Sequence, residues 1–307
     1  MELFHASNEE KRPSGSGDQI KSPRKISRRS LLKGAAVFGA AKALSQMGVE
    51  EAEAKGERDI SNAGRVKEEA RKASILIEGA DPVRFLESRY LVSALYYSDR
   101  FLRKLSRGEG VSDVSEEIIA QIAGKVTSGL REQFMSYLGR KFAAEVRNGQ
   151  PKNPSPPLID FIYGRGQNHP DAIDLFIEEG ALVYTMRSGI AVLADRGWKK
   201  DNSFSTSSLK GGNTVIVYAP DTKEFYRYCH LRDVLVKAGE FVMAGQTIGS
   251  VGHSGSNASK PGRGKHLHLE INRYYEREKE MRPLFEAELK NMVEQAKRKH
   301  RMFVGAD

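Results

Sequence analysis

The sharpest chemical signal in this sequence is His266-Leu267-His268. In an extended chain alternate side chains leave the same face. Two imidazoles therefore stand about 7 Å apart along one strand and reach into one space. One can bind a metal while the other handles a proton. A third histidine, His230, follows the aromatic stretch Phe225–Tyr228, Asp174 follows Ala172-Ile173, and His169 stands five positions before Asp174. One carboxylate and two imidazoles make a three-ligand zinc site that leaves a coordination position open for water. Such a water ionises near neutral pH and can attack a carbonyl.

Other reactive residues read more plainly. His5, His253 and His300 stand in no comparable pattern and are surface or hydrogen-bonded histidines. Cys229 is a strand neighbour of His230, so alternation sends it to the opposite face, as a small buried hydrophobe. Gly252-His253-Ser254-Gly255-Ser256 falls one glycine short of a serine-hydrolase elbow, and no helix pattern follows it. Gly262-Arg263-Gly264-Lys265 lacks both the leading glycine and the hydroxyl residue of a phosphate loop. The Gly239 and Gly245 turns, which also occur in lipoyl-type carrier domains, are structural here, because the sequence offers no hairpin that presents a modified lysine.

The elements that must position these residues fall into two halves. A short helix is expected near Arg65–Ile77. Asp81-Pro82 supplies an N-cap and a proline at the first helical position, and apolar residues from Phe85 to Leu105 follow at helical spacing. Gly108-Glu109-Gly110 ends that run. Asp113 and Glu116 are spaced as a capping box, and Ile118, Ile122, Val126, Leu130, Phe134, Leu138, Phe142 and Val146 recur every four residues. Two long antiparallel helices are the simplest reading. Residues 149–157 are proline-rich and mark a boundary. Beyond it, Ala181–Tyr184, Gly189–Leu193, Thr214–Tyr218 and Phe225–Tyr228 are short β-branched or aromatic runs separated by turns, an antiparallel all-β pattern. From Tyr274 the chain reads as helix again, ending in the basic run Lys297–Arg301, a solvated helix end.

Residues 164–272 resemble the lysostaphin/LytM-type zinc metallopeptidases, the family-23 metallopeptidases. The resemblance rests on Ala172-Ile173-Asp174-Leu175, Glu179-Gly180-Ala181-Leu182-Val183 and Ser188–Val192. It continues through Gly212-Asn213-Thr214-Val215, Tyr228-Cys229-His230-Leu231, Val236–Val242 and Ala244-Gly245-Gln246-Thr247-Ile248-Gly249. It closes on Lys265–Ile271. The order and approximate spacing match that family's pattern throughout. The resemblance implies an α+β chain: a helical region, then an antiparallel all-β domain of the duplicated-hybrid-motif kind. It implies zinc held by His169, Asp174 and His268, with His230 and His266 acting on water and carbonyl, and a peptidoglycan peptide as substrate. In the family the first ligand stands four residues before the aspartate. That position is Pro170 here, and His169 is offset by one. Domains of the family that lose a ligand can serve as binding or activating modules for a separate cell-wall amidase, engaged here through the helical region. That is the alternative reading. A peptidase acting on protein rather than wall is a third.

The rest of the chain bounds these readings. With 307 residues, 39% hydrophobic and 29% charged, it is too apolar for a disordered protein and too polar for a multispan membrane protein. Its single cysteine excludes an intramolecular disulfide and a Cys-rich zinc module. Ser27-Arg28-Arg29-Ser30-Leu31-Leu32-Lys33 resembles a twin-arginine export motif, followed by the mildly apolar Gly34–Leu44 and an Ala52-Glu53-Ala54 cleavage pattern. Residues 1–54 are expected to be that signal, 55–148 the helical region, 149–157 the linker, 158–275 the β-domain and 276–307 a C-terminal helix. The net charge of +9 then faces anionic envelope polymers rather than nucleic acid, in a periplasmic or extracellular protein, tethered to the membrane if the signal is not cleaved.

Overall fold

The computed structural model describes residues 46–110, 114–149, 162–164, 171–200, 210–285, 287–292 and 294–295, with side chains from residue 62 onward except at 162–164. By its internal contacts the chain divides into Met1–Ala54 and Lys55–Asp307. The helical residues from 55 onward and the whole sheet belong to the second unit.

Among the described residues four α-helices come first: α1 (Gln46–Gly79), α2 (Arg89–Ser106), α3 (Val114–Ala123) and α4 (Ser128–Arg147). Asp81 does not start a helix directly. Its carboxylate accepts the backbone N–H of Val83 at 3.0 Å, and a 3-10 turn, Arg84–Glu87, intervenes. Ser88 then caps α2, its hydroxyl accepting the Leu91 N–H at 3.3 Å. The expected second long helix is two. Gly124 weakens the run, and Thr127 offers a better terminus by accepting the Leu130 N–H at 3.2 Å. The apolar stripe still holds across the break: Ile118, Ile122, Val126, Leu130, Phe134 and Leu138 are all buried. Among the described residues no helix is long and apolar enough to cross a membrane.

Ten strands follow among the described residues: β1 (Ile162–Gly164), β2 (Ala172–Phe176), β3 (Leu182–Tyr184), β4 (Gly189–Asp195), β5 (Asn213–Ala219), β6 (Glu224–Val234), β7 (Phe241–Val242), β8 (Thr247–Val251), β9 (His266–Tyr275) and β10 (Glu280–Pro283). The main sheet runs β1-β2-β9-β6-β5-β4-β7, with β10 beside β9 and β3–β8 reached through β6. Every pairing is antiparallel. The chain beyond Tyr274 therefore does not turn directly to helix: β9 and β10 form a hairpin, and helix is described again from residue 287.

Alternation divides the sheet into two faces. Val215, Val217, Tyr226, Tyr228, Leu267, Leu269 and Ile271 point into one core, with Val183, Ile248 and Val251 of β3 and β8 on its far side. Ile216, Tyr218, Phe225 and Tyr274 point the other way, into a core shared with α2 and α4. The helical layer thus covers part of one sheet face. Polar contacts fix it there: Tyr274 donates to Glu132 at 2.9 Å, Arg131 meets Asp99 at 2.8 Å, and Asp99 accepts the Met281 N–H at 2.9 Å.

Candidate active site

The helix-covered face carries the chemistry as well. His266, His268, Glu270 and Tyr274 alternate with the core residues Leu267, Leu269 and Ile271 of β9, and so share that face. Asp174 on β2 is the register partner of His268, which brings carboxylate and imidazole together across the strands. The Oδ1 atom of Asp174 lies 2.7 Å from Nδ1 of His268. Nε2 of His266 is 3.8 Å from the same oxygen. The His230 ring stands 4.7 Å from that of His266 and 5.6 Å from that of His268, centroid to centroid. All four side chains are buried.

His230 reaches this cluster by an irregularity. Its φ is +63°, left-handed for a non-glycine residue, and the β5–β6 register shifts between Asn213 and Val215. The backbone N–H of His230 bonds the Gly211 carbonyl at 2.8 Å, and Nδ1 lies 2.6 Å from the Ser254 carbonyl. A carbonyl only accepts, so Nδ1 carries the hydrogen and Nε2 of the neutral ring has the lone pair. Gly255 makes this approach possible. Its φ is +103°, and a Cβ there would meet the Lys210 carbonyl at 2.4 Å and Nδ1 of His230 at 3.0 Å. Ser254 is likewise structural: its hydroxyl donates to Leu231 O and accepts from Asn213 N.

The same kink overturns the expected position of Cys229. Cys229 is the register partner of His268, so it lies on the site's face, not the opposite one. It is buried, and burial pushes its thiol up to about 12, which keeps it protonated and unreactive.

A polar network that the motifs do not single out lies behind His268. Nε2 of His268 is 3.2 Å from Oε1 of Glu270. Arg227 meets that oxygen at 3.1 Å, and Glu270 is its register partner. The other oxygen, Oε2, accepts Tyr97 Oη at 2.9 Å and Tyr96 Oη at 3.4 Å, both from α2. Burial disfavours the charge on Glu270, but the Arg227 guanidinium and the hydrogen bond from His268 outweigh it and hold the carboxyl well below the usual range. For His268 burial disfavours the cation, and hydrogen bonds to Asp174 and Glu270 reverse this and raise its pKa. His230 has no carboxylate partner of this kind. Burial, with the charges of His268 and His266, lowers it to about 3, so it is neutral at pH 7.

Asp174 and His268 could hold a metal. One nitrogen of His268 faces the Asp174 carboxylate and the other a second carboxylate, an arrangement in which the outer carboxylate fixes the ring and the inner nitrogen is left for a cation. These donors fit zinc. Among the described residues no group of three His, Cys, Asp or Glu side chains stands ready as a metal cluster. His169, the third expected ligand, lies outside the described residues, as does Pro170. Gly164, the last described residue before them, is the Cα partner of Asp174.

Residues 168–283 match the model of peptidase family M23. This segment is a family M23 peptidase domain. Solved structures similar to the chain include lysostaphin from Staphylococcus simulans, at 22% identity over 44% of this chain and 50% of that one, with a TM-score of 0.33. They also include a putative glycyl-glycine endopeptidase from Ruminococcus gnavus, at 19% identity over 68% and 82% with a TM-score of 0.34. The catalytic domain of EnpA, a prophage-encoded M23 protein of Enterococcus faecalis, is 22% identical over 39% and 87%, with a TM-score of 0.29. The chain spans half the length of the lysostaphin molecule. No curated protein matches the sequence.

Proposed function

We propose that this protein is an exported zinc-dependent endopeptidase that hydrolyses peptide bonds in cell-wall peptidoglycan. The observation that carries the reading is the meeting of Asp174 Oδ1 and His268 Nδ1 at 2.7 Å beside two further histidine rings. It stands within an M23 peptidase domain. His169, Asp174 and His268 would hold the metal. Bound zinc supplies a Lewis acid that acidifies water and polarises a carbonyl.

The chain's own residues do the rest. Nδ1 of His230 donates to Ser254 O, so its Nε2 accepts a proton from the attacking water. Its lowered pKa keeps that lone pair available at neutral pH. His266 is oriented in the same way, Nδ1 lying 3.2 Å from Gly264 O. Its Nε2 faces Asp174 and, in the imidazolium form where both ring nitrogens carry hydrogen, donates to the charge developing on the scissile carbonyl oxygen. Phe176, with its ring centroid 5.2 Å from that of His266, closes one side of this histidine against water.

Release of soluble peptide fragments from purified cell walls tests the reading. The full chain should release them, lose the activity to a chelator and regain it with zinc. A chain that takes up no zinc, binds wall material and releases nothing would contradict the peptidase reading. It would favour the binding-module alternative, whose support is Pro170 at the family's usual ligand position.

A further inference from the structure

The family M23 match begins at residue 168, yet two hydroxyls on the carboxylate behind His268 come from α2, more than 170 residues away in sequence. Glu270 is saturated. His268 and Arg227 share Oε1, while Tyr97 and Tyr96 share Oε2. A carboxylate with one oxygen engaged can rotate. With both engaged from two different layers it is fixed, and so is the imidazole that donates to it. Of the two phenols, Tyr97 makes the short bond, and its ring also lies 5.3 Å from the Arg227 guanidinium. One helical side chain therefore contacts both the acid and its counter-ion.

We propose that Tyr97 is a positioning residue of the zinc site. It holds Glu270 in the orientation that accepts from Nε2 of His268, and so aims Nδ1 at the metal position. The helical layer is then part of the metal site and not only a cover on the sheet. This rests on the zinc reading above.

The test is zinc affinity of the full-length chain, measured by competition with a chromophoric chelator. Tyr97→Phe keeps the ring and its packing and removes only the hydroxyl. Its zinc Kd should rise measurably, by less than the about 10- to 100-fold that follows loss of a ligand's own outer-shell partner, because Tyr96 still bonds Oε2. Tyr90→Phe, which removes a hydroxyl bonded to Arg89 instead, should match wild type. In a Glu270→Gln background Tyr97→Phe should add nothing, since its effect passes through that carboxylate. A Tyr97→Phe Kd equal to wild type overturns the proposal, whatever happens to thermal stability. So does an undiminished effect in the Glu270→Gln background. A wild-type chain that binds no zinc overturns the metal reading itself, and the proposal with it.

Discussion

Replacing Arg227 by Met should cost more stability than any exposed ion pair could, and the cost should depend on pH. Arg227 and Glu270 are 3.1 Å apart with both side chains about nine-tenths buried. Two unit charges at that separation attract by about 5 kcal/mol at an effective dielectric of about 20. Removing one partner of a buried pair leaves the other charge uncompensated, at a cost of about 3–5 kcal/mol. The methionine retains the apolar stem and loses the cation. At pH 7 the urea-derived unfolding free energy should fall by that amount. The pH dependence follows from Glu270, whose wild-type carboxyl lies below its unfolded value of 4.5. Its contribution is present above pH 4.5 and is lost as the pH falls through the folded pKa. In the variant, burial without the cation pushes the carboxyl upward, so the folded state is penalised at neutral pH and relieved when the acid protonates. The deficit should therefore be largest near pH 7 and shrink toward pH 4. A deficit under about 1 kcal/mol, the size of an exposed pair, would contradict this picture, as would one equal at both pH values.

Other outcomes follow from the same geometry. His268→Ala should lose zinc, whereas His266→Ala should keep it and lose about 10²–10⁴-fold in turnover, read by metal analysis beside a peptide-release assay. In the metal-free protein, His230 binds a proton when unfolded below pH 6.5 and, when folded, only near pH 3. Stability should thus decline as pH falls from 6.5, by up to about 1.4 kcal/mol per pH unit from this group. The raised His268 contributes the opposite slope, lost as pH rises through its folded pKa. His230→Asn, which tolerates the left-handed backbone, should flatten the acid limb in denaturant titrations. Changing Arg28 and Arg29 together to lysine should hold the protein in the cytoplasm, as read by cell fractionation; unchanged export would remove the twin-arginine reading.

Much of the site is legible in the sequence because strand periodicity is simple. His266 and His268 share a face by alternation, and Glu270 falls on it by the same rule. Residues brought in by tertiary packing are not legible. Nothing local in α2 distinguishes Tyr96 and Tyr97 from core tyrosines, and their role depends on a layer docked on the sheet. Alternation misplaces Cys229 because it assumes an unbroken strand, and the left-handed His230 breaks it. The helical stripe reads correctly as a buried face, but its break at Gly124–Thr127 does not show. Cap and breaker signals there compete with a period that continues straight through them. The hairpin at β10 reads as helix because Arg277–Arg282 is charged and lacks the strand alternation that marks the others.

The proposed function turns on whether His169, Asp174 and His268 together hold one zinc ion. Elemental analysis of the full-length chain, purified without a histidine tag, beside Asp174→Ala and His169→Ala, decides this. The wild-type chain should carry close to one zinc per molecule, and either variant almost none. A wild-type chain that takes up no zinc from excess metal, or a His169→Ala chain that retains a full complement, would show that these three residues are not the zinc site.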